Sequence, residues 1–422
     1  MNLGKRIDRL RKNRHMSQQA LCKGIISSAH LSNIKRGRYA PAEDILQLLA
    51  ERLHVPLDYL LHHDQECPQV ESKLQLLKQH LFLHNVVMSK QMLIHIEKAH
   101  PYITSVTQEF WFYTLSCLYE LRHGTPEEAL PFYEHHIDTL VDEEALTHLH
   151  HTVQESYYQL RATIAFYQAQ YEESLYWSKK QRSVTIQPLA KADVLHNIGM
   201  AFLQLCQRNE SRQALEKALH IYKQNGQSYK ACKTLNVLFV LLWELEDYTL
   251  AEEKLHQAYY IALEHTYDQL LASIQYHFGL LYKTKGLSTL AKDCFAHAST
   301  QMEQSDSRDI NHVLCSWMEL LLEEERVEEA TKILHKAEQH VHSEGDKHHL
   351  LVLKAKIHAI NGENAKYIKL MNKSIHYFHE KKHWRQVEHF SRELAEHLYH
   401  ERRYKMSADF FRRTVEAIQY QK

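Results

Sequence analysis

Three groups of side chains in this 422-residue chain have types and spacings suited to chemistry. The first is His379-Glu380-Lys381-Lys382-His383, a literal HExxH. On one helix this string would present two imidazoles a turn apart to zinc, with the glutamate as base. The chain has 34 histidines, so chance matches are easy, and the string falls where one helix pair should give way to the next. No metal is expected there. The second group is a series of amides, Gln159, Asn197, Asn236 and Gln275, at nearly constant spacing. An amide offers both a donor and an acceptor, so such a row can grip an extended peptide backbone whatever its side chains. The third is a cationic cluster at the N-terminus. Residues 1–63 hold 11 Lys and Arg against 5 Asp and Glu, a net +6, whereas the remainder is net −7. A cationic module on an anionic body suits a head that meets a polyanion.

The scaffold for these groups is restricted by composition. The chain has 10 Gly and 7 Pro, about 4% together against an ordinary usage of roughly 12%. Sheets and barrels need more turn residues than this, and no proline follows Pro188. The expected class is all-α. Neither a GxxxxGK[ST] or GxGxxG phosphate cradle nor a GxSxG elbow can be written, and no nucleophile–base constellation stands out. A non-enzyme without cofactors is expected. Seven scattered Cys without a CxxC read as reduced thiols. The charged start MNLGKRIDRLRKN lacks the apolar core of a signal peptide, and the most apolar stretch, Leu235–Trp243, is far short of a membrane span. These features predict a cytoplasmic protein.

The first 63 residues predict five short helices. Leu3, Ile7 and Leu10 share one face; Ser17 caps a second helix that Gly24 ends; Ser27 or Ser28 caps a third, ending at Gly37. A fourth follows Pro41, and VPLDYLL supplies a fifth. The motifs IxxLRxxxxMSQxxL, LSxIxRG and PxxxxLxxLAxxLxVPLDYLL occur in order, and the stretch resembles the XRE-like helix-turn-helix domain of phage repressors. The resemblance implies binding to paired half-sites of double-stranded DNA. It implies that Gln18 holds a phosphate and that Ser28, Ala29 and Asn33 face base edges, with His30 beside them. Arg9, Lys35, Arg36 and Arg38 would hold the DNA backbone. Lys35 stands where the family usually has Glu, and the segment LCKGIISS differs in spacing by a residue.

After a polar linker at 64–71, residues 72–422 repeat a helix pair with a period near forty. GMAFLQLCQRNESRQALEKAL, FVLLWELEDYTLAEEKLHQAY and GLLYKTKGLSTLAKDCFAHAS show it best, and they resemble the tetratricopeptide repeat. The small position of each second helix is placed at Met92, Ala129, Ser174, Ser211, Ala251, Ala291, Ala330, Tyr367 and Ala408. The prediction is therefore a right-handed α-solenoid of about nine repeats. Its first helices would line a concave surface carrying the four amides, with Tyr276, His277 and Ser316 setting selectivity. Changing Asn197 or Asn236 to Ala is expected to weaken peptide binding by on the order of 1–2 kcal/mol and to leave the melting midpoint nearly unchanged.

Head and repeats together resemble the peptide-sensing quorum regulators of Gram-positive bacteria, the RRNPP group, and in length and repeat number its NprR branch. That resemblance implies a short re-imported signalling peptide as ligand, control of DNA binding and a homodimer or tetramer. In that branch it also implies a response-regulator partner for sporulation. An alternative is a Rap-like protein-interaction module using DNA little, although the cationic head, which the Rap group lacks, separates the two. A third reading is a phage-type repressor whose repeats only oligomerise.

Overall fold

A computed structural model describes residues 3–83, 85–123, 126–141, 143–305, 307 and 309–420. The described residues form 24 α-helices and no strand. They gather into two compact units, residues 1–218 and 219–422.

The first unit begins with five short helices: α1 (Leu3–Asn13), α2 (Gln18–Cys22), α3 (Ser28–Lys35), α4 (Glu43–Arg52) and α5 (Leu57–Leu61). Ile7, Leu21, Leu31, Ile34, Leu49, Leu53 and Leu60 form their core. The Ser17 hydroxyl accepts from the Ala20 amide and the Ser27 hydroxyl from the His30 amide, so both predicted N-caps form, the second at Ser27. Gly24 and Gly37 take the positive φ that ends each helix. Gly4 is needed for packing. A Cβ there would lie 2.3 Å from the Ile34 carbonyl oxygen, so α1 and α3 touch backbone to backbone.

The same unit continues with α6 (Pro68–Phe82), α7 (Val86–Ala99), α8 (Val106–His123) and α9 (Pro126–Tyr133), the last running into a π-helical turn at Glu134–Asp138, then a short α10 (Glu143–Leu146). Residues 68–71, expected in the linker, are instead the first turn of α6. Proline opens that helix at no hydrogen-bond cost, because the first amides lack partners anyway. Nor does the head stand apart: it shares one compact unit with the first repeats.

Seven regular pairs follow: α11 (His151–Tyr167) with α12 (Tyr171–Val184), α13 (Pro188–Gln204) with α14 (Arg208–Gln224), α15 (Ser228–Glu244) with α16 (Tyr248–Glu264), α17 (Asp268–Thr284) with α18 (Ser288–Gln304), α19 (Ile310–Glu323) with α20 (Val327–Glu338), α21 (Glu344–Ile360) with α22 (Asn364–Glu380), and α23 (Trp384–His400) with α24 (Tyr404–Gln419). The architecture is a helix-turn-helix domain followed by a tetratricopeptide-like solenoid.

One contact recurs between the paired helices. Ser174 donates to the Ala162 carbonyl, Ser211 to Gly199 and Ser407 to Ala395, each at 2.8 Å and each across the same sequence separation. Ala129, Ala251, Ala291 and Ala330 occupy the same place and are fully buried. This register corrects two expected positions. The small residue of α24 is Ser407, not the exposed Ala408, and that of α7 is the buried Ser89, not Met92. Tyr367 is buried in this role opposite a small residue, Ala355, in the same core cluster, so a large side chain is offset by a small one. The glycine shortage is met at the turns, where Ala169, Cys206, Glu246, Glu325 and Arg402 adopt positive φ in place of glycine.

Candidate functional site

The head presents α3 outward. Ser28, Ala29, Asn33, Arg36 and Arg38 are exposed, as is Gln18 at the start of α2. His30 is half-buried, its ring 4.3 Å from that of Tyr39 in an edge contact. Lys35 is less available, because its ammonium lies 3.0 Å from Asp8 on α1. Arg11 also pairs with Asp8, at 2.8 Å. Burial raises the Asp8 carboxyl, but hydrogen bonds from Arg11 and Lys35 outweigh it and hold the group below its ordinary range.

Arg9 departs from expectation. It is 3% exposed and reaches no groove; its guanidinium lies 2.7 Å from Glu109 on α8. Arg6, fully buried, lies 3.0 Å from the other oxygen of the same carboxylate. The reason is position on the helix: Arg6 and Arg9 are one turn apart, on the face α1 turns toward the repeats. Arg6 also donates to the carbonyls of Tyr59, Ile103 and Thr104, and Arg9 donates to the Tyr59 hydroxyl. The Tyr59 hydroxyl donates to Glu109, and the Arg6 guanidinium sits 4.1 Å from the Tyr59 ring centre. Burial alone would push the Glu109 carboxyl up, yet Arg6 and Arg9 hold it below the carboxylate range. The head is thus pinned to the body by α1 and α5, with α3 left outside.

In the second unit, successive first helices bring several predicted ligand-binding residues together. Asn236 on α15 is 8% exposed and donates from its amide nitrogen to the Ser273 hydroxyl at 3.0 Å. Its amide oxygen lies 2.7 Å from the His277 Nδ1 on α17. The His277 ring lies 4.9 Å from Phe239 and 5.4 Å from Tyr276, whose hydroxyl is 3.2 Å from that of Ser316 on α19. Burial pushes the His277 imidazole down to about 4, so at neutral pH it is uncharged. With Nδ1 against an amide oxygen, the neutral ring carries its proton there and donates it to Asn236. A neutral polar line therefore runs Ser273–Asn236–His277–Tyr276–Ser316. Gln275 lies on α17 beside it, partly buried. Gln159 on α11 and Asn197 on α13 belong to the first unit, each partly buried.

Residues 7–60 match the family model described as helix-turn-helix. The chain is similar in structure to a Rap protein solved in complex with competence and sporulation factor: 14% identity, 84% of this chain and 99% of that one, TM-score 0.71. It is also similar to the apo form of the quorum sensor NprR from B. thuringiensis, with 17% identity, 83% and 99% coverage and a TM-score of 0.65. NprR in complex with its cognate peptide NprX gives 17%, the same coverage and 0.63. No curated protein matches the chain by sequence. The chain carries a helix-turn-helix head on the fold shared by Rap and NprR. The resemblance expected from the sequence is thus met at the level of fold.

Within that Rap-type fold, the HExxH string does not form a helical pair of ligands. The helix α22 ends at Glu380, Lys382 takes positive φ in the turn, and His379 packs edge-on against Trp384. No group of metal-ligating side chains is found among the described residues. No described helix is long and apolar enough to cross a membrane. Sequence reasoning missed two partners. Glu109 sits in the aromatic run VTQEFWFYTL, and a lone carboxylate among buried aromatics signals a buried cation. Ser273 gave no signal, since serine is ordinary on a helix surface.

Proposed function

We propose that the protein is a peptide-responsive DNA-binding regulator that acts by binding rather than catalysis. The observation that carries this reading is the neutral polar line of Asn236, His277, Tyr276 and Ser316 along consecutive first helices, in a chain whose head keeps its recognition face exposed. An extended peptide that buries unpaired backbone groups loses about 1–3 kcal/mol at each. The Asn236 amide nitrogen can exchange the half-buried Ser273 hydroxyl for a peptide carbonyl at little net cost, while its oxygen keeps the His277 N–H. Gln275 on α17 offers the same chemistry, as do Gln159 and Asn197 within the first unit. Similar folds have been solved with a bound peptide, NprR with NprX and Rap with competence and sporulation factor. Exposed Ser28, Ala29 and Asn33 read bases, while Gln18, Arg36 and Arg38 hold phosphates; Lys35, tied to Asp8, contributes at the edge. Two heads in a homodimer or tetramer engage paired half-sites.

A second reading is favoured by one observation: the match spans 99% of a Rap chain, so this chain contains a Rap-sized body in addition to its head. That body would bind a response regulator, with DNA binding secondary. Selection from random duplexes with the full chain tests the first reading. One enriched, paired site supports it; binding without sequence preference favours the second.

A further inference from the structure

The joint between the head and the first repeats contains more cationic than anionic side chains. Arg6 and Arg9 share the single carboxylate of Glu109. Arg11, Lys12 and Lys35 share that of Asp8. Beside this cluster lies a cavity of about 260 Å³. Each water in the liquid occupies about 30 Å³, so there is room for a multi-atom ligand. The head contributes Arg9, Lys12, Asn13 and His15; the π-helical turn after α9 and the residue following it contribute Glu134, His135 and Thr139. Arg9 is nine-tenths buried, and its guanidinium donates to Glu109, to the Tyr59 hydroxyl and to the His136 carbonyl, which fixes its charge at the cavity wall. Two guanidiniums on one carboxylate leave uncompensated positive charge at the joint, and an anion in the adjacent cavity is what would offset it.

We propose that this cavity binds a phosphate-class anion and that the anion bridges head and body. The donors are of several kinds: the Lys12 ammonium, an amide, a hydroxyl and imidazole N–H groups, with the Arg9 charge behind them. Such a set suits a tetrahedral anion with acceptors on all sides better than a planar carboxylate. Glu134 narrows the choice. Its carboxylate repels an anion unless the ligand offers a proton, and phosphate can keep one P–OH to donate to it, whereas sulfate cannot at neutral pH. Lys12 and His135 lie on opposite sides of the joint and are both exposed, so each can be altered without touching the core.

The test is calorimetry of the full chain with inorganic phosphate, sulfate and chloride at constant ionic strength, without DNA. Phosphate is expected to bind at one site per chain, more tightly than sulfate, and to slow proteolysis at the segment joining head to body. The double variant Lys12→Gln, His135→Gln should weaken phosphate about tenfold, a change of about 1.4 kcal/mol, with an unchanged helical spectrum. Phosphate heats no larger than chloride, sulfate binding as tightly as phosphate, or an unaltered affinity in the double variant would each overturn the proposal. None of these outcomes bears on the peptide or on DNA selection.

Discussion

The head–body joint is a buried polar network and the amide line of the second unit a half-buried one, and they are built from opposite materials. The joint is ionic: two guanidiniums, one carboxylate and two tyrosine hydroxyls around Glu109. The line is neutral: an amide, an imidazole held uncharged by burial, and hydroxyls. A buried charge cannot give up its partner without a new one, so the ionic network suits a fixed orientation. Neutral groups can exchange partners with modest loss, so the second network suits a ligand that comes and goes.

The largest expected effect is at the joint. Glu109→Gln leaves two guanidiniums without their counter-charge and should destabilise the docked head by about 3–5 kcal/mol. Denaturant unfolding would show an early transition for the head, and the segment joining it to the body would become open to protease. A single unchanged transition would mean that the carbonyls around Arg6 carry the docking alone.

The two networks should also separate with pH. A histidine whose folded pKa is about 4, against 6.5 unfolded, contributes stability that is complete above pH 6.5 and drains away as pH falls toward 4. For His277 the full loss is about 3 kcal/mol. The Glu109 carboxyl, also depressed, keeps its full contribution down to the ordinary carboxylate pKa of 4.5 and loses it below that. His136, beside the joint, is likewise pushed down to about 4 by burial and by Arg9, and burial lowers His348, His349, His383 and His397 in the second unit. Unfolding curves of His277→Leu should therefore be shallower between pH 6.5 and 4 without becoming flat. An unchanged slope would show that His277 is not the buried neutral base described.

Asn236→Ala comes next. The sequence reading expected the melting midpoint to stay put, but the amide is engaged by Ser273 and His277, so removal should cost about 1–2 kcal/mol of stability as well as peptide affinity. Asn197→Ala should cost less stability than Asn236→Ala, which thermal melts of the two variants would compare. The smallest effect belongs to Ser273→Ala, about 1 kcal/mol or less. It frees the Asn236 amide, so peptide affinity, measured by calorimetry, should be kept or improved.

How much of this was legible in the sequence follows from the range of each interaction. Helix caps at Ser17 and Ser27 and the recurring small residues act within one or two helices, and local spacing reveals them. The slips at Met92, three residues along from Ser89 and so on nearly the same face, and at Ala408, one residue along from Ser407, came where the terminal pairs match the repeat poorly. Arg9 was misassigned because a cation in a basic head looks the same whether its partner is a phosphate or a carboxylate a hundred residues on. Asn236 stands out in the sequence by its register, but its partners lie on the next first helix and no local pattern encodes them.

The central claim is that occupancy of the second unit's amide line alters what the head does on DNA. The most direct measurement is the affinity of the full chain for its selected duplex, with and without synthetic linear peptides from any short open reading frames that adjoin the gene. One peptide should shift that affinity in the wild type, and the shift should disappear in Asn236→Ala while the peptide-free affinity is kept. A selected site bound equally with and without every such peptide, or a shift that survives in Asn236→Ala, would contradict the account.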